Sequence, residues 1–197
     1  MRMDKKPKII MIAGCNGAGK STLAPHLLRD ALGLKDYVNA DTIAQGLSAF
    51  APENAAIEAA KIMLRRLREL ANGRKSFAFE TTLASRFYVK WIEDLKRRGF
   101  EFHLLYLWLE SPELAVLRVR ERVLAGGHNV PEETIRRRYE RGLRNFFRLY
   151  QPLADNWSVY NSSSADKINL IARYGKGRPE IFNKGIWERI CKLAESK

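Results

Sequence analysis

A chain of 197 residues that is 46% hydrophobic, 29% charged and 10% aromatic can bury one core of good size, and it is too apolar for a disordered segment. No apolar run approaches the roughly 20 residues needed to span a bilayer; the longest, His103–Leu109, is strand-sized. A formal net charge of +13 implies anionic partners, whether a nucleotide, another anionic substrate or nucleic acid, and a membrane is not expected among them.

Strand and helix patterns alternate along the whole chain, which is the signature of helices packed around a parallel sheet in one domain spanning 1–197. Lys8–Ala13 reads as a first buried strand. It leads straight into a glycine loop rather than a small-residue cleavage site, so the cytoplasm is the expected location. Two cysteines, Cys15 and Cys191, are too few for a disulfide framework, and Cys15 inside the loop fits a reducing compartment. Lys20–Leu32 is the helix that follows, with His26 packed on it and Gly33 closing it. Tyr37–Asn39 is a short second strand leading to Asp41. Pro52 opens a long helix with Ile57, Met63, Leu64, Leu67 and Leu70 at helical spacing, ended by Gly73.

Ser76–Phe79 is the third strand, with Glu80 at its carboxyl end, and Arg86–Arg98 is the next helix, stopped by Gly99. Phe102–Leu109 is the most apolar strand and should lie centrally, with His103 serving packing. Pro112 starts a helix running to about Ala125; residues 126–130 form a loop, and Pro131 opens an arginine-rich helix. Trp157–Tyr160 is a late strand, residues 175–179 read as a loop, and Ile186–Ala194 as a terminal helix. Ligands of such sheets sit beyond the carboxyl ends of the strands. Gly14, Asp41, Glu80 and Glu110 fall at or just past four of those ends, Glu110 in a structural role.

Gly14-Cys15-Asn16-Gly17-Ala18-Gly19-Lys20-Ser21 matches the phosphate-loop pattern G-x-x-x-x-G-K-[ST] completely, between an apolar strand and a helix. Glycines let successive backbone N–H groups turn inward around a phosphate, and the helix N-terminus adds its dipole. Gly14, Asn16, Gly17, Ala18, Gly19, Lys20, Ser21 and Thr22 are therefore expected to bind ATP. Lys20 would reach the outer phosphates and Ser21 would ligate Mg²⁺, with Glu80 as a further metal group. The pattern alone is shared by many nucleotide-binding classes. The nearest string to a GTPase base reader, Asn183-Lys184-Gly185-Ile186, lacks the aspartate, and no transporter signature is present. A small kinase remains.

Transfer to a hydroxyl benefits from a carboxylate that takes the proton. Asp41 is the candidate base, with helix capping by Asp41 or Thr42 as its structural alternative. Glu80, Thr81 and Thr82 end a buried strand at the same rim and are candidate substrate contacts. Nine arginines against four glutamates lie between Arg118 and Arg148. Residues 118–148 could form a lid, with Arg122, Arg138 and Arg141 as catalytic charge clamps and His128 contributing to substrate.

With these residues in place, the chain resembles the zeta-toxin family of P-loop kinases, and specifically its small stand-alone branch of predicted ABC-type ATPases. The markers are the phosphate loop, Asn39-Ala40-Asp41, Phe79-Glu80-Thr81-Thr82-Leu83, the 126–131 loop, Arg136-Arg137-Arg138-Tyr139 and the stretch through Trp157. The resemblance implies a nucleoside-monophosphate-kinase-like P-loop NTPase fold, a three-layer α/β sandwich with a mainly parallel sheet and a helical lid. It also implies an ATP- and Mg²⁺-dependent kinase acting on the 3′-hydroxyl of a UDP-N-acetyl amino sugar, with Asp41 as base, and an antitoxin partner. His128 stands where an arginine is expected, Asn161 where this branch often has aspartate, and the chain is shorter than long-form toxins. Alternatives suited to the basic charge are a polynucleotide 5′-hydroxyl kinase and a nucleotide-dependent nucleic-acid-binding module. The latter would use aromatics interleaved among surface basic residues; although Phe146, Phe147 and Tyr150 lie near arginines, their spacing suits a buried helix face, which is the favoured reading.

Overall fold

The computed structural model describes residues 6–25, 34–49, 52–164, 167–175 and 177–195. Its seven strands are β1 (Lys8–Ala13), β2 (Tyr37–Val38), β3 (Phe77–Thr81), β4 (Glu101–Trp108), β5 (Asn156–Asn161), β6 (Asn169–Gly175) and β7 (Arg178–Ile181). They form one sheet in the order β2-β3-β1-β4-β5-β6-β7, parallel from β2 to β5 and antiparallel from β5 to β7. The most apolar strand, β4, is fourth of the seven, as its continuous hydrophobic run requires when both faces are covered.

The helices are α1 (Lys20–Pro25), α2 (Ala40–Leu47), α3 (Ala56–Asn72), α4 (Tyr88–Arg97), α5 (Pro112–Leu124), α6 (Glu132–Asn145) and α7 (Lys184–Glu195). Strand side chains alternate between two faces. On one face Ile9, Met11, Phe102 and Leu104 pack against Met63, Leu67 and Leu70 of α3, Ile92 and Leu95 of α4, and Ile190 of α7. On the other, Leu107 meets Ala115, Val116 and Val119 of α5 while Ile10 and Ile12 meet Ala24 of α1. The three layers are those expected.

Several expectations need correction. Ile57, placed on a buried face, is 76% exposed. The reason is that residues 52–55 form a separate 3₁₀ turn before α3, whose buried face begins at Ala59. The loop expected at 175–179 is the turn of an antiparallel hairpin, with Gly175 opposite Arg178 and Gly177 at φ +82°. A lone proline in a short edge strand hid β7 from a pattern reading. The second strand stops at Val38 because the Asn39 side chain caps α2, accepting from the backbone N–H of Asp41 (2.7 Å) and Thr42; neither Asp41 nor Thr42 is the cap. The end of the first helix, with His26 and Gly33, lies outside the described residues.

Phe146 and Tyr150 are fully buried in a π-helical turn after α6, and half-buried Phe147 packs against the core, as a buried helix face requires. His103 sits in β4 with its ring 3.3 Å from Glu101 in the same strand. No helix among the described residues is long and apolar enough to cross a membrane.

Candidate active site

The carboxyl ends of β1 and β3 open into a cavity of about 510 Å³ lined by residues 16–22 together with Asp41, Glu80, Arg118 and Arg122. Its floor is the phosphate loop, which takes its shape from backbone that only glycine adopts freely. Gly14 has φ +147°, and a Cβ there would lie 2.5 Å from the Leu107 carbonyl oxygen of β4; Gly17 and Gly19 have φ +80°. The Cys15 side chain is buried between the loop and α5, and desolvation pushes its thiol up to about 11. Buried Asn16 accepts from Arg138 Nη1 of α6 at 3.2 Å, so Arg138 braces the loop from outside the cavity lining.

Lys20 Nζ donates to the Gly14 and Cys15 carbonyls, each at 2.9 Å, which curls the ammonium over the loop. Burial lowers its pKa, while the charge of Glu80 opposes that shift. Ser21 Oγ donates to Glu80 Oε2 at 3.0 Å, and the Tyr37 hydroxyl donates to Glu80 Oε1. Both Glu80 oxygens thus have partners. Desolvation still raises its pKa, with Lys20 and these hydrogen bonds working the other way. Thr22 is exposed on the cavity wall.

Asp41 lies in the first turn of α2, where the helix dipole favours a negative charge. Its side chain is 55% exposed, and Oδ2 is 3.9 Å from Nε2 of His128, which is 17% exposed in the 126–130 loop. Arg122, at the end of α5, holds that loop by donating to the His128 carbonyl at 2.9 Å. Its Nε is buried and has no hydrogen-bond partner among the described residues. His128 therefore comes near Asp41, and Arg122 lines the same cavity. Arg141 does not: it is exposed on α6, away from the cavity lining. Thr81 and Thr82 also lie outside that lining. Thr81 Oγ1 accepts from Leu83 N, supporting left-handed backbone at Leu83 (φ +56°), and Thr82 has its carbonyl against Gly142 of α6. The Glu110 backbone N–H donates to Ser163 Oγ and its carbonyl accepts from Arg189.

Arg118, counted among the nine arginines but not singled out, stitches the loop to the end of β5. It donates to the Ser162 and Ser163 carbonyls (2.7 and 2.8 Å) and to Gly17 O (3.5 Å), while Ser162 Oγ donates to Ala18 O at 3.0 Å. The available signal was its position beside the buried stripe Ala115, Val116 and Val119, where a solvated charge does not belong. Arg136 is tied to Glu113 and Glu132, and Arg120 to Glu132, so part of the basic excess is spent between α5 and α6.

The zeta toxin family model matches residues 1–170. The chain belongs to the zeta toxin family. An uncharacterized protein of Haemophilus influenzae is 30% identical over 132 residues, which is 67% of this chain and 92% of that one. A chain of the AvrRxo1-ORF1:AvrRxo1-ORF2 complex with sulphate ions superposes with a TM-score of 0.78 at 15% identity, and one of the complex with ATP with 0.75 at 16%. In both, the match covers 98% of this chain and 66% of the other, so this chain spans about two thirds of that protein's length. A chain from the PezAT chromosomal toxin–antitoxin system of Streptococcus pneumoniae gives 0.64 at 18% identity, covering 98% of this chain and 89% of that one. At such identities the structural matches establish the fold. Family membership and fold together make the chain a zeta toxin family protein with a P-loop kinase fold.

Proposed function

We propose that this zeta-toxin family member transfers the γ-phosphoryl group of Mg²⁺-ATP to a hydroxyl of a small molecule, with Asp41 as general base. The carrying observation is the division of labour between two carboxylates in one cavity. Glu80 has both oxygens engaged, by Ser21 and Tyr37, whereas Asp41 is solvent-exposed on a helix N-terminus facing the phosphate loop. An engaged carboxylate suits a fixed electrostatic role; an open one suits taking a proton.

In this reading the acceptor hydroxyl loses its proton to Asp41 as its oxygen attacks the γ-phosphorus, and ADP departs from the opposite side. The loop amides, Lys20 and Arg122 meet the negative charge on the transferred group. Ser21 Oγ and Glu80 are oxygen ligands of the hard type that Mg²⁺ prefers, only 3.0 Å apart. When bound, the ion neutralises charge on the outer phosphates. The acceptor we favour is a UDP-N-acetyl amino sugar, on family resemblance, and an antitoxin is the expected protein partner for the same reason.

The deciding measurement is incubation of wild type and Asp41→Asn with labelled ATP, Mg²⁺ and either UDP-N-acetylglucosamine or a metabolite extract. Asp41→Asn should bind Mg²⁺-ATP with near-normal heat yet lose transfer by about 1,000-fold or more, the loss expected when proton acceptance and alignment of the hydroxyl fail together. Undiminished transfer by this variant would remove Asp41 from the chemistry.

A further inference from the structure

Asn39 is buried at 7% exposure, and its amide has partners on every side. Oδ1 accepts from the backbone N–H of Asp41 (2.7 Å) and Thr42 (3.4 Å), while Nδ2 donates to Ser21 Oγ and to the Tyr37 hydroxyl, both at 3.2 Å. Each of those hydroxyls passes its own proton to a different oxygen of Glu80. The bonds close a ring, Asn39–Ser21–Glu80–Tyr37–Asn39, in which every donor points toward one carboxylate.

The ring fixes the amide's orientation. Turned over, the NH₂ group would face two backbone N–H donors with nothing to accept, and the cap of α2 would be lost. One side chain therefore touches both halves of the proposed machinery. Its nitrogen holds Ser21 beside Glu80, and its oxygen sets the first turn of the helix that carries Asp41. A cap alone needs only an acceptor, and serine supplies that as well as asparagine. The donors are surplus to capping, and both are spent on the site.

We propose that Asn39 is a positioning residue that couples the Ser21–Glu80 end of the cavity to the aim of Asp41, so that loading Mg²⁺-nucleotide tightens the first turn of α2. This rests on the reading of Ser21 and Glu80 as the metal and phosphate end and of Asp41 as base. Tyr37 completes the same coupling from the opposite side of the ring.

Asn39→Ser separates the two roles, because its short hydroxyl can still cap α2 but cannot reach Ser21 or Tyr37. The readout is hydrogen exchange of the Asp41 and Thr42 amides with and without Mg²⁺-ADP, alongside calorimetry of Mg²⁺-ADP binding and steady-state kinetics. In wild type, nucleotide should slow exchange at these amides. In Asn39→Ser that slowing should vanish, while Mg²⁺-ADP still binds and kcat falls about tenfold, the cost of a base off its line, with little change in the KM for ATP. Tyr37→Phe keeps the cap and the Ser21 contact, so it should retain part of the slowing; it also serves if Asn39→Ser fails to fold. Equal slowing in wild type and both variants would overturn the coupling and leave Asn39 a cap. Mg²⁺-ADP that fails to bind wild type would instead overturn the underlying kinase reading.

Discussion

The rim formed by the carboxyl ends of β1 to β5 and the far edge of the sheet, β6, β7 and α7, are built by opposite means. At the rim the backbone is forced into left-handed conformations at Gly14, Gly17, Gly19 and Leu83, and the buried side chains Asn16, Asn39 and Ser162 are polar. At the far edge the packing is aromatic. Trp157 stacks on Trp187 with centroids 5.5 Å apart and 6° between planes, flanked by Tyr174 and Phe147. None of the proposed functional residues lies there. The contrast sets the proposed chemistry where backbone geometry is costly and polar groups are withheld from water, and leaves the far edge to hold the sheet together.

The strongest way to break that division is Gly14→Ala. A methyl group 2.5 Å from the Leu107 carbonyl, on a backbone at φ +147°, must displace the loop from β4, so Mg²⁺-ATP binding measured by calorimetry should disappear. Retained binding would show that loop geometry is not what grips the nucleotide. Next comes Trp187→Ala at the far edge. It should lower unfolding free energy in urea by about 2 kcal/mol, reduced from a full core deletion because the side chain is half-buried, and leave nucleotide affinity intact. A fall in affinity there would join the two regions energetically.

The smallest effect sharpens the rim itself. The Glu80 carboxyl has a pKa above its ordinary value because it is desolvated, so the folded state holds this proton more tightly than the unfolded chain does. Its contribution is therefore fully present below the unfolded carboxyl pKa and is lost as pH rises through the higher folded value. Glu80→Gln should flatten that limb when unfolding is followed from pH 4 to 8. An unchanged slope would mean that Lys20 and the two hydroxyls fully offset the burial.

What the amino-acid order disclosed follows the same division. The phosphate loop was legible because its chemistry demands particular residues at particular spacing, and Asp41 and Glu80 because carboxylates closing apolar strands are conspicuous. No role was read for Tyr37, and Asn39 entered only as part of the Asn39-Ala40-Asp41 marker: a tyrosine in a two-residue strand and the asparagine after it carry no signal of a shared network until folding brings residues 21 and 80 beside them. Arg138 and Arg141 read alike on a helix, yet only the first reaches the loop. Three residues rotate a side chain by about 60° around the axis and shift it about 4.5 Å along it, which separates a brace on Asn16 from an exposed charge. The β6–β7 hairpin escaped because charged, proline-bearing edge strands look like loops.

Those edges have one more consequence. The sheet ends on one side in two residues, Tyr37 and Val38, and on the other in four, of which Arg178 and Glu180 are charged and Pro179 lacks an amide hydrogen. Among the described residues neither margin presents a long, uniform row of unpaired peptide groups, so the sheet is self-terminating there, and another copy finds little template for zippering on into a fibril.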